Sequence, residues 1–251
     1  MHHRLDGVAL RCVALITVFF IPMKTIFRKS ISRRKIFVSP NCGSSCKVQI
    51  IPIESHMKNV NSLAYDSANE LLWWTDDQKN TVEVLSMMDG RFHNTIIAAE
   101  RNSPSSLTID PNHGQIYWSE GYDSPKVFSS KMNLEEIEEI LEGQHSNPNA
   151  LFYSATTEQL HVADGTALII SSYDREKLNP LNKIQIRDGL HIYAITLNDS
   201  KMYFTDWGSN SVRRIEESGA DEIALAEGLN RPTQLVVRVI HAFLNSVFRN
   251  M

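Results

Sequence analysis

The chain has 251 residues, 42% hydrophobic and 22% charged, with a net charge of −4. That is an ordinary globular composition, enough for one sizeable core, and the acidic total argues against a nucleic-acid partner. Three cysteines do not make a disulfide framework.

The charge is unevenly spread. Residues 1–47 hold nine Lys or Arg against a single acid, Asp6, so the remainder is clearly acidic. Arg4 and Arg11 precede the apolar run Cys12-Val13-Ala14-Leu15-Ile16-Thr17-Val18-Phe19-Phe20-Ile21. Its length suits the apolar region of a signal peptide and is short for a bilayer span. No small-x-small cleavage site follows, and Lys24, Arg28, Lys29, Arg33, Arg34 and Lys35 come soon after. A basic, acid-poor mitochondrial leader is the competing reading. Either way residues 1–34 read as a leader, residues 35–240 as the folded body and residues 241–251 as a tail. No later stretch is long and apolar enough to span a membrane. Cys42 and Cys46 bracket Gly43-Ser44-Ser45, and either pair in a tight loop or stand as two thiols. That spacing is poor for zinc, so the sequence assigns no metal and no cofactor.

From residue 60 onward the chain repeats. Leu71-Leu72-Trp73-Trp74-Thr75-Asp76 returns as Ile116-Tyr117-Trp118-Ser119-Glu120 and as Met202-Tyr203-Phe204-Thr205-Asp206, with a worn copy at Leu160-His161-Val162-Ala163-Asp164. The acid ends lie 44, 44 and 42 residues apart, a propeller or solenoid period. Each copy predicts four short strands with turn signals at every join: 62–66, 71–75, 82–88 and 95–97 in the first; 106–110, 116–119, 127–132 and 137–141 in the second; 150–153, 160–163, 168–172 and 184–186 in the third; 193–197, 202–205, 212–215 and 222–226 in the fourth. Four strands per repeat make a propeller blade. Glu135-Glu136-Ile137-Glu138-Glu139-Ile140 has some helical character but falls where an outer strand belongs.

The residue types fit that reading. Trp74, Trp118 and Phe204 on the second strands are expected to fill the wedges between blades, since an aromatic buries a large apolar area. The closing acid is expected to cap loop amides of the next blade, because a carboxylate accepting several N–H bonds can be buried without a counter-ion. The third copy has lost both aromatics, which predicts weak packing there.

The ends suggest closure. Arg231-Pro232-Thr233-Gln234-Leu235-Val236-Val237 resembles the starts of other blades at Pro104 and Pro148. Lys35-Ile36-Phe37-Val38-Ser39 and Val48-Gln49-Ile50-Ile51-Pro52-Ile53 read as strands lacking an inner partner. A composite blade, inner strand from the C-terminus and outer strands from the N-terminus, would remove open edges. The fold is therefore expected to be all-β, with four complete four-stranded blades plus one composite.

Trp-Trp-Thr-Asp, Tyr-Trp-Ser-Glu and Tyr-Phe-Thr-Asp-Trp-Gly resemble the YWTD repeats of low-density-lipoprotein-receptor-type propellers, across roughly residues 35 to 240. The resemblance implies an extracellular six-bladed propeller that binds proteins, as in lipoprotein receptors, Wnt co-receptors and nidogen-type matrix proteins, and that is not an enzyme. This chain departs by one blade, by its third copy, and by lacking an EGF-like module and a membrane anchor. A truncated frame explains three of these departures together. The structural motif residues are then Trp73, Trp74, Asp76, Tyr117, Trp118, Glu120, Asp164, Tyr203, Phe204 and Asp206.

Antiparallel blades place alternate turns on opposite rims. The rim holding the turns after the second strands is the ligand face that the resemblance implies, and here it would present Tyr122, Asp123 and an exposed Trp207. Aromatics beside acids suit a basic or amphipathic protein partner. Trp207 simply covering a neighbouring blade is the plainer reading. Asn198-Asp199-Ser200 is a glycosylation sequon on the opposite rim. His113, His145, His161 and His191 show no ligand spacing and read as surface or packing residues. The alternative function is a secreted matrix-type or truncated propeller fragment; a metal-dependent propeller hydrolase ranks below it, since it needs Glu, Asn or Asp on the inner strands, and Leu63-Ala64-Tyr65, Leu107-Thr108-Ile109, Leu151-Phe152-Tyr153 and Ile195-Thr196-Leu197 offer almost none. The expected protein is thus a secreted or ectodomain binding module, monomeric, with a protein ligand.

Overall fold

A computed structural model describes residues 36–38, 49–51, 58–86, 93–97, 103–121, 124–133, 135–187, 191–198, 200–229, 231–232 and 235. Every regular element among them is a β-strand. β1 (Ile36–Val38) pairs with β2 (Gln49–Ile51) in an antiparallel two-stranded sheet, Ile36 opposite Ile51. Four four-stranded antiparallel meanders follow. The first holds β3 (Val60–Asp66), β4 (Leu71–Asp76), β5 (Thr81–Ser86) and β6 (His93–Ile97). The second holds β7 (Pro104–Asp110), β8 (Gln115–Glu120), β9 (Lys126–Lys131) and β10 (Glu138–Ile140). The third holds β11 (Pro148–Ser154), β12 (Gln159–Asp164), β13 (Ile169–Asp174) and β14 (Pro180–Gln185). The fourth holds β15 (Ile192–Asn198), β16 (Lys201–Asp206), β17 (Ser211–Glu216) and β18 (Ile223–Ala226).

The first strands β3, β7, β11 and β15 lie side by side in chain order, so the four sheets stand as blades around one axis. Residues 138–140 are strand, as their place in the repeat requires. The outer strand of the third blade starts four residues before its expected position, at Pro180. Of the expected composite blade, the two N-terminal runs form β1 and β2, paired with each other, and most of the expected C-terminal strand lies outside the described residues.

Strand alternation explains the packing. Side chains of one strand point to opposite faces in turn, and here both faces are buried. The second, fourth and sixth residues of β8, β12 and β16 face the preceding blade, and the third and fifth face the next. Trp73 meets Trp118, Ile116 and Leu107 between the first two blades. Tyr117 meets Leu151, Tyr153, Leu160 and Val162 between the second and third. Ala163 and Ile170 meet Ile195, Met202 and Phe204 between the third and fourth. The wedge between the first two blades is thus filled by Trp73 against Trp118, not by Trp74. Trp74 is fully buried on the opposite face of β4.

The third blade corrects the expectation of weak packing. Leu160 and Val162 are both fully buried. The aromatic volume comes from neighbouring strands instead: Tyr153 stacks on Tyr117 at 5.9 Å, and Tyr173 joins the same cluster. On the far face His161 takes the place of a Trp or Tyr, packed against Phe152 with its Nδ1 2.8 Å from Ser172 Oγ.

Candidate functional site

The site begins with a bulge. In all four inner strands the register slips by one residue near the start, at Asn61, at Ser105-Ser106, at Asn149 and at Tyr193. A bulge places two residues opposite one and re-aims a side chain. The slip frees a backbone N–H, and the hydroxyl of the motif takes it. Thr75 Oγ1 accepts from Ser62 N at 3.1 Å, Ser119 Oγ from Ser106 N at 3.1 Å and Thr205 Oγ1 from Ala194 N at 3.0 Å. Hydroxyls also stitch neighbouring blades: Leu107 N donates to Ser62 Oγ, Leu151 N to Ser106 Oγ and Tyr153 N to Thr108 Oγ1. The sequence reading missed both roles, although the Ser and Thr recur in register.

The closing acids are buried on the same rim, and they cap their own blade rather than the next. Asp76 accepts from Lys58 N, Asn59 N and Lys79 N. Asp164 accepts from Ser146 N, Thr166 N and Ala167 N. Asp206 accepts from His191 N, Gly208 N and Ser209 N, and from the Ser209 hydroxyl. Each acid thereby ties the loop leading into its blade to the turn after its second strand. Burial alone would raise the pKa of Asp164 and Asp206, but the backbone N–H donors outweigh it and hold both below the usual carboxylate range. Glu120 accepts instead from the Trp118 indole at 3.0 Å.

Inside this rim the four bulges converge. Asn61, Ser62, Ser105, Ser106, Asn149, Tyr193 and Ala194 line one recess at the axis, about 280 Å³ with the solvent open to it included. Beside it stands an aromatic stack. Trp207 lies on Tyr193 at 4.1 Å and nearly parallel, with His191 at 6.0 Å and the Arg231 guanidinium 5.5 Å from its ring centre. Its indole donates to Pro232 O at 2.8 Å. Trp207 is therefore half-buried, not free in solvent, because its ring meets Tyr193, His191 and Arg231 and its N–H is engaged. Tyr122 and Asp123 lie outside the described residues. Asn198 ends β15 on the opposite rim and is half-buried.

The histidines are packed individually. His113 Nδ1 sits 2.7 Å from Asp110 Oδ2. His145 is held between Asp164, at 3.6 Å, and the Tyr173 hydroxyl, at 2.9 Å, and burial lowers its pKa. Burial takes His161 down to about 4. Among the described residues no cluster of three His, Cys, Asp or Glu forms a metal site, and no helix is long and apolar enough to cross a membrane.

Blades ranked about an axis, each with a bulged inner strand and an acid-ended second strand, define a β-propeller. No family model matches the chain. Among curated proteins it is similar to the human low-density lipoprotein receptor-related protein 5-like protein, 21% identical over 179 residues, covering 70% of this chain and 69% of that protein. Among solved structures it resembles a chain of the nidogen/laminin complex with a TM-score of 0.65 and 23% identity, covering 77% of this chain and 72% of that one. The repeats and the blades they build resemble those of a low-density-lipoprotein-receptor-type YWTD propeller.

Proposed function

We propose that the chain is an extracellular protein-binding propeller whose ligand sits on the rim of the bulges and Trp207. The observation that carries this is the Tyr193–Trp207–Arg231 stack beside an axial recess lined by amides and hydroxyls. Aromatic and arginine groups, pre-organised around a desolvated centre, are the usual energetic anchors of protein interfaces. The relatives point the same way: one is named for a receptor-related protein, and the other comes from a complex with a protein, laminin. In this reading residues 1–34 direct export, residues 35–240 form the propeller with its composite blade, residues 241–251 are a tail, and the protein is monomeric. Tyr122 and Asp123 extend the ligand face, and a glycan on Asn198 leaves that face open. A recess without carboxylate or imidazole favours binding over metal-dependent hydrolysis.

The test is display of secreted proteins against the purified chain and three variants. Tyr193→Ala and Arg231→Glu alter the stack, and Ser67→Arg alters an exposed turn on the opposite rim. A genuine ligand binds the native chain and Ser67→Arg alike and loses at least about tenfold on the stack variants. A partner indifferent to the stack, or the retention of no secreted protein, overturns the reading.

A further inference from the structure

We propose that β18, the outer strand of the fourth blade, is a docking edge that receives an extended partner segment, apolar at alternate positions and carrying Lys or Arg at both ends. The edge lies on the side of the ring and is independent of the rim that holds the Tyr193–Trp207 stack.

Matching the repeats shows what sets this strand apart. The eighteenth and nineteenth residues after each motif acid fall on the outer strand. They are Asn94-Thr95 in the first copy, Glu138-Glu139 in the second and Asn182-Lys183 in the third. In the fourth they are Ala224-Leu225. An edge strand presents unpaired N–H and C=O groups, and charged side chains, Pro, short length or covering contacts normally guard it. β14 opens on Pro180, carries Lys183 and is tied to the next blade by Asn182 Nδ2, which donates to Glu217 O at 2.7 Å. β10 is three residues long and carries Glu138 and Glu139. β18 has no charge and no proline, and all four of its residues are exposed, Ile223 at 41% and Leu225 at 48%. A bulge at Leu225 is the one guard it keeps. It ends its sheet, paired only with β17 among the described residues. Such an edge suits strand addition, in which the main chain supplies affinity and alternate side chains supply fit.

Charge selects the occupant. Residues 215–230 hold Glu216, Glu217, Asp221, Glu222 and Glu227 and no Lys or Arg. Three guanidinium groups reach them from elsewhere: Arg187 and Arg213 on Glu222, and Arg214 3.9 Å from Glu216. Arg231, the next basic residue along the chain, is held over the Trp207 ring. Five acids against three cations leave the edge negative, with Asp221 before the strand and Glu227 after it both exposed. A segment with a cation at each end meets both. A second copy of this chain fits badly. Two β18 strands paired antiparallel about their midpoints set Glu222 opposite Glu227 twice, and like charges directly opposite destabilise a strand pair.

The experiment titrates three blocked hexapeptides into the isotope-labelled full chain and follows the backbone amides of residues 223–226 by NMR. The peptides are Lys-Val-Thr-Val-Thr-Lys, Glu-Val-Thr-Val-Thr-Glu, and the lysine peptide methylated on its four central backbone nitrogens. The lysine peptide should move these amides saturably in the millimolar range. The glutamate peptide should bind at least about fivefold more weakly, with the gap narrowing in salt. The methylated peptide, which cannot donate to a ladder, should bind at least about tenfold more weakly. Leu225→Lys installs the residue type that Lys183 supplies in the third blade, and should weaken the lysine peptide at least about fivefold while the rest of the spectrum stays native. Tyr193→Ala should leave its binding unchanged. Equal binding of the glutamate peptide overturns the charge assignment, and equal binding of the methylated peptide overturns strand addition. Lysine-peptide binding that leaves residues 223–226 unmoved, or that is lost on Tyr193→Ala, overturns the edge as the site, as does no binding at all. Shifts that grow with protein concentration alone, with a sedimenting dimer abolished by Leu225→Lys, give the edge to a second copy and overturn the proposal.

Discussion

Replacing Asp206 by Asn tests the central device of the blade, because it changes charge and donor pattern but not shape. The carboxylate is fully buried and accepts four hydrogen bonds. His191 N and Gly208 N reach Oδ1 at 2.5 and 2.9 Å, and Ser209 N and Ser209 Oγ reach Oδ2. The best placement of an amide keeps oxygen at the first position. The Ser209 hydroxyl can then turn round and accept, but Ser209 N faces an NH₂ group. One charge-assisted bond is lost, a buried N–H is orphaned and the two surviving bonds lose their ionic character. Together these cost about 2–4 kcal/mol.

The pH dependence provides a second check. The hydrogen-bonded Asp206 has a folded pKa below its unfolded value. Its contribution is fully present above the unfolded value near about 4 and is lost as pH falls through the folded one. The gap between native and Asp206→Asn proteins should therefore be widest at neutral pH and close in acid. Urea unfolding of both proteins at a series of pH values measures it. A difference below about 1 kcal/mol at pH 7 would mean the acid does not pin its blade, since even one orphaned buried donor should cost more.

Three further outcomes follow from the same geometry. Trp118→Ala removes a ring stacked on Phe128 at 5.4 Å between the first two blades and should cost about 3–5 kcal/mol in chemical unfolding, with Trp118→Phe losing clearly less. Glu158 is an exposed turn residue held at φ 53°, where a side chain is strained, so Glu158→Gly should leave stability unchanged or raise it by up to about 1 kcal/mol, visible as a small rise in Tm. His161 is neutral and buried with a pKa near about 4, so unfolding takes up a proton between that value and about 6.5; lowering pH from 7 to 5 should cost the native protein about 2 kcal/mol from this group, and His161→Phe should lose that component of the slope.

The blade was legible because its signals are local and repeat. Each acid-ended strand could be placed by matching copies 42 to 44 residues apart, as could the outer strands other than the third, which begins at Pro180. What escaped were features that depend on three dimensions. The bulge is invisible in a pattern of apolar residues, because one extra residue shifts no hydrophobic position that periodicity can see. Its trace lies in small polar residues at matching places, Asn61, Ser105, Asn149, and in Thr75, Ser119 and Thr205, which read as ordinary strand residues until their hydroxyls are seen on the freed N–H groups. Trp207 looked exposed because it follows a motif acid in a polar turn. Its cover comes from Tyr193, 14 residues earlier in the chain, and from Arg231, 24 residues later. The third copy looked weak because its strand was judged alone, whereas an interface needs volume from either side and Tyr117, Tyr153 and Tyr173 supply it.

The same register bears on the composite blade. Trp73, Tyr117 and His161 occupy one place in the repeat, facing the next blade, and all are buried. Their counterpart Tyr203 is only half-buried. Val82, Val127 and Ile170 likewise sit at 0%, 1% and 0% exposure, whereas Val212 at the matching place on β17 is partly open. A face covered in three copies and partly open in the fourth is the face on which a fifth sheet would sit. After β18 the chain returns to the turn that follows β16, where Leu229 N donates to Asn210 O at 2.9 Å and Pro232 O accepts from the Trp207 indole. Pro232 lies 25 residues after Trp207, close to the 27 that separate Asp77 from Pro104 and Gly121 from Pro148. Pro104 and Pro148 each open an inner strand. The spacing repeats the approach to the second and third blades, and a further sheet against this face would bury what Tyr203 and Val212 still expose.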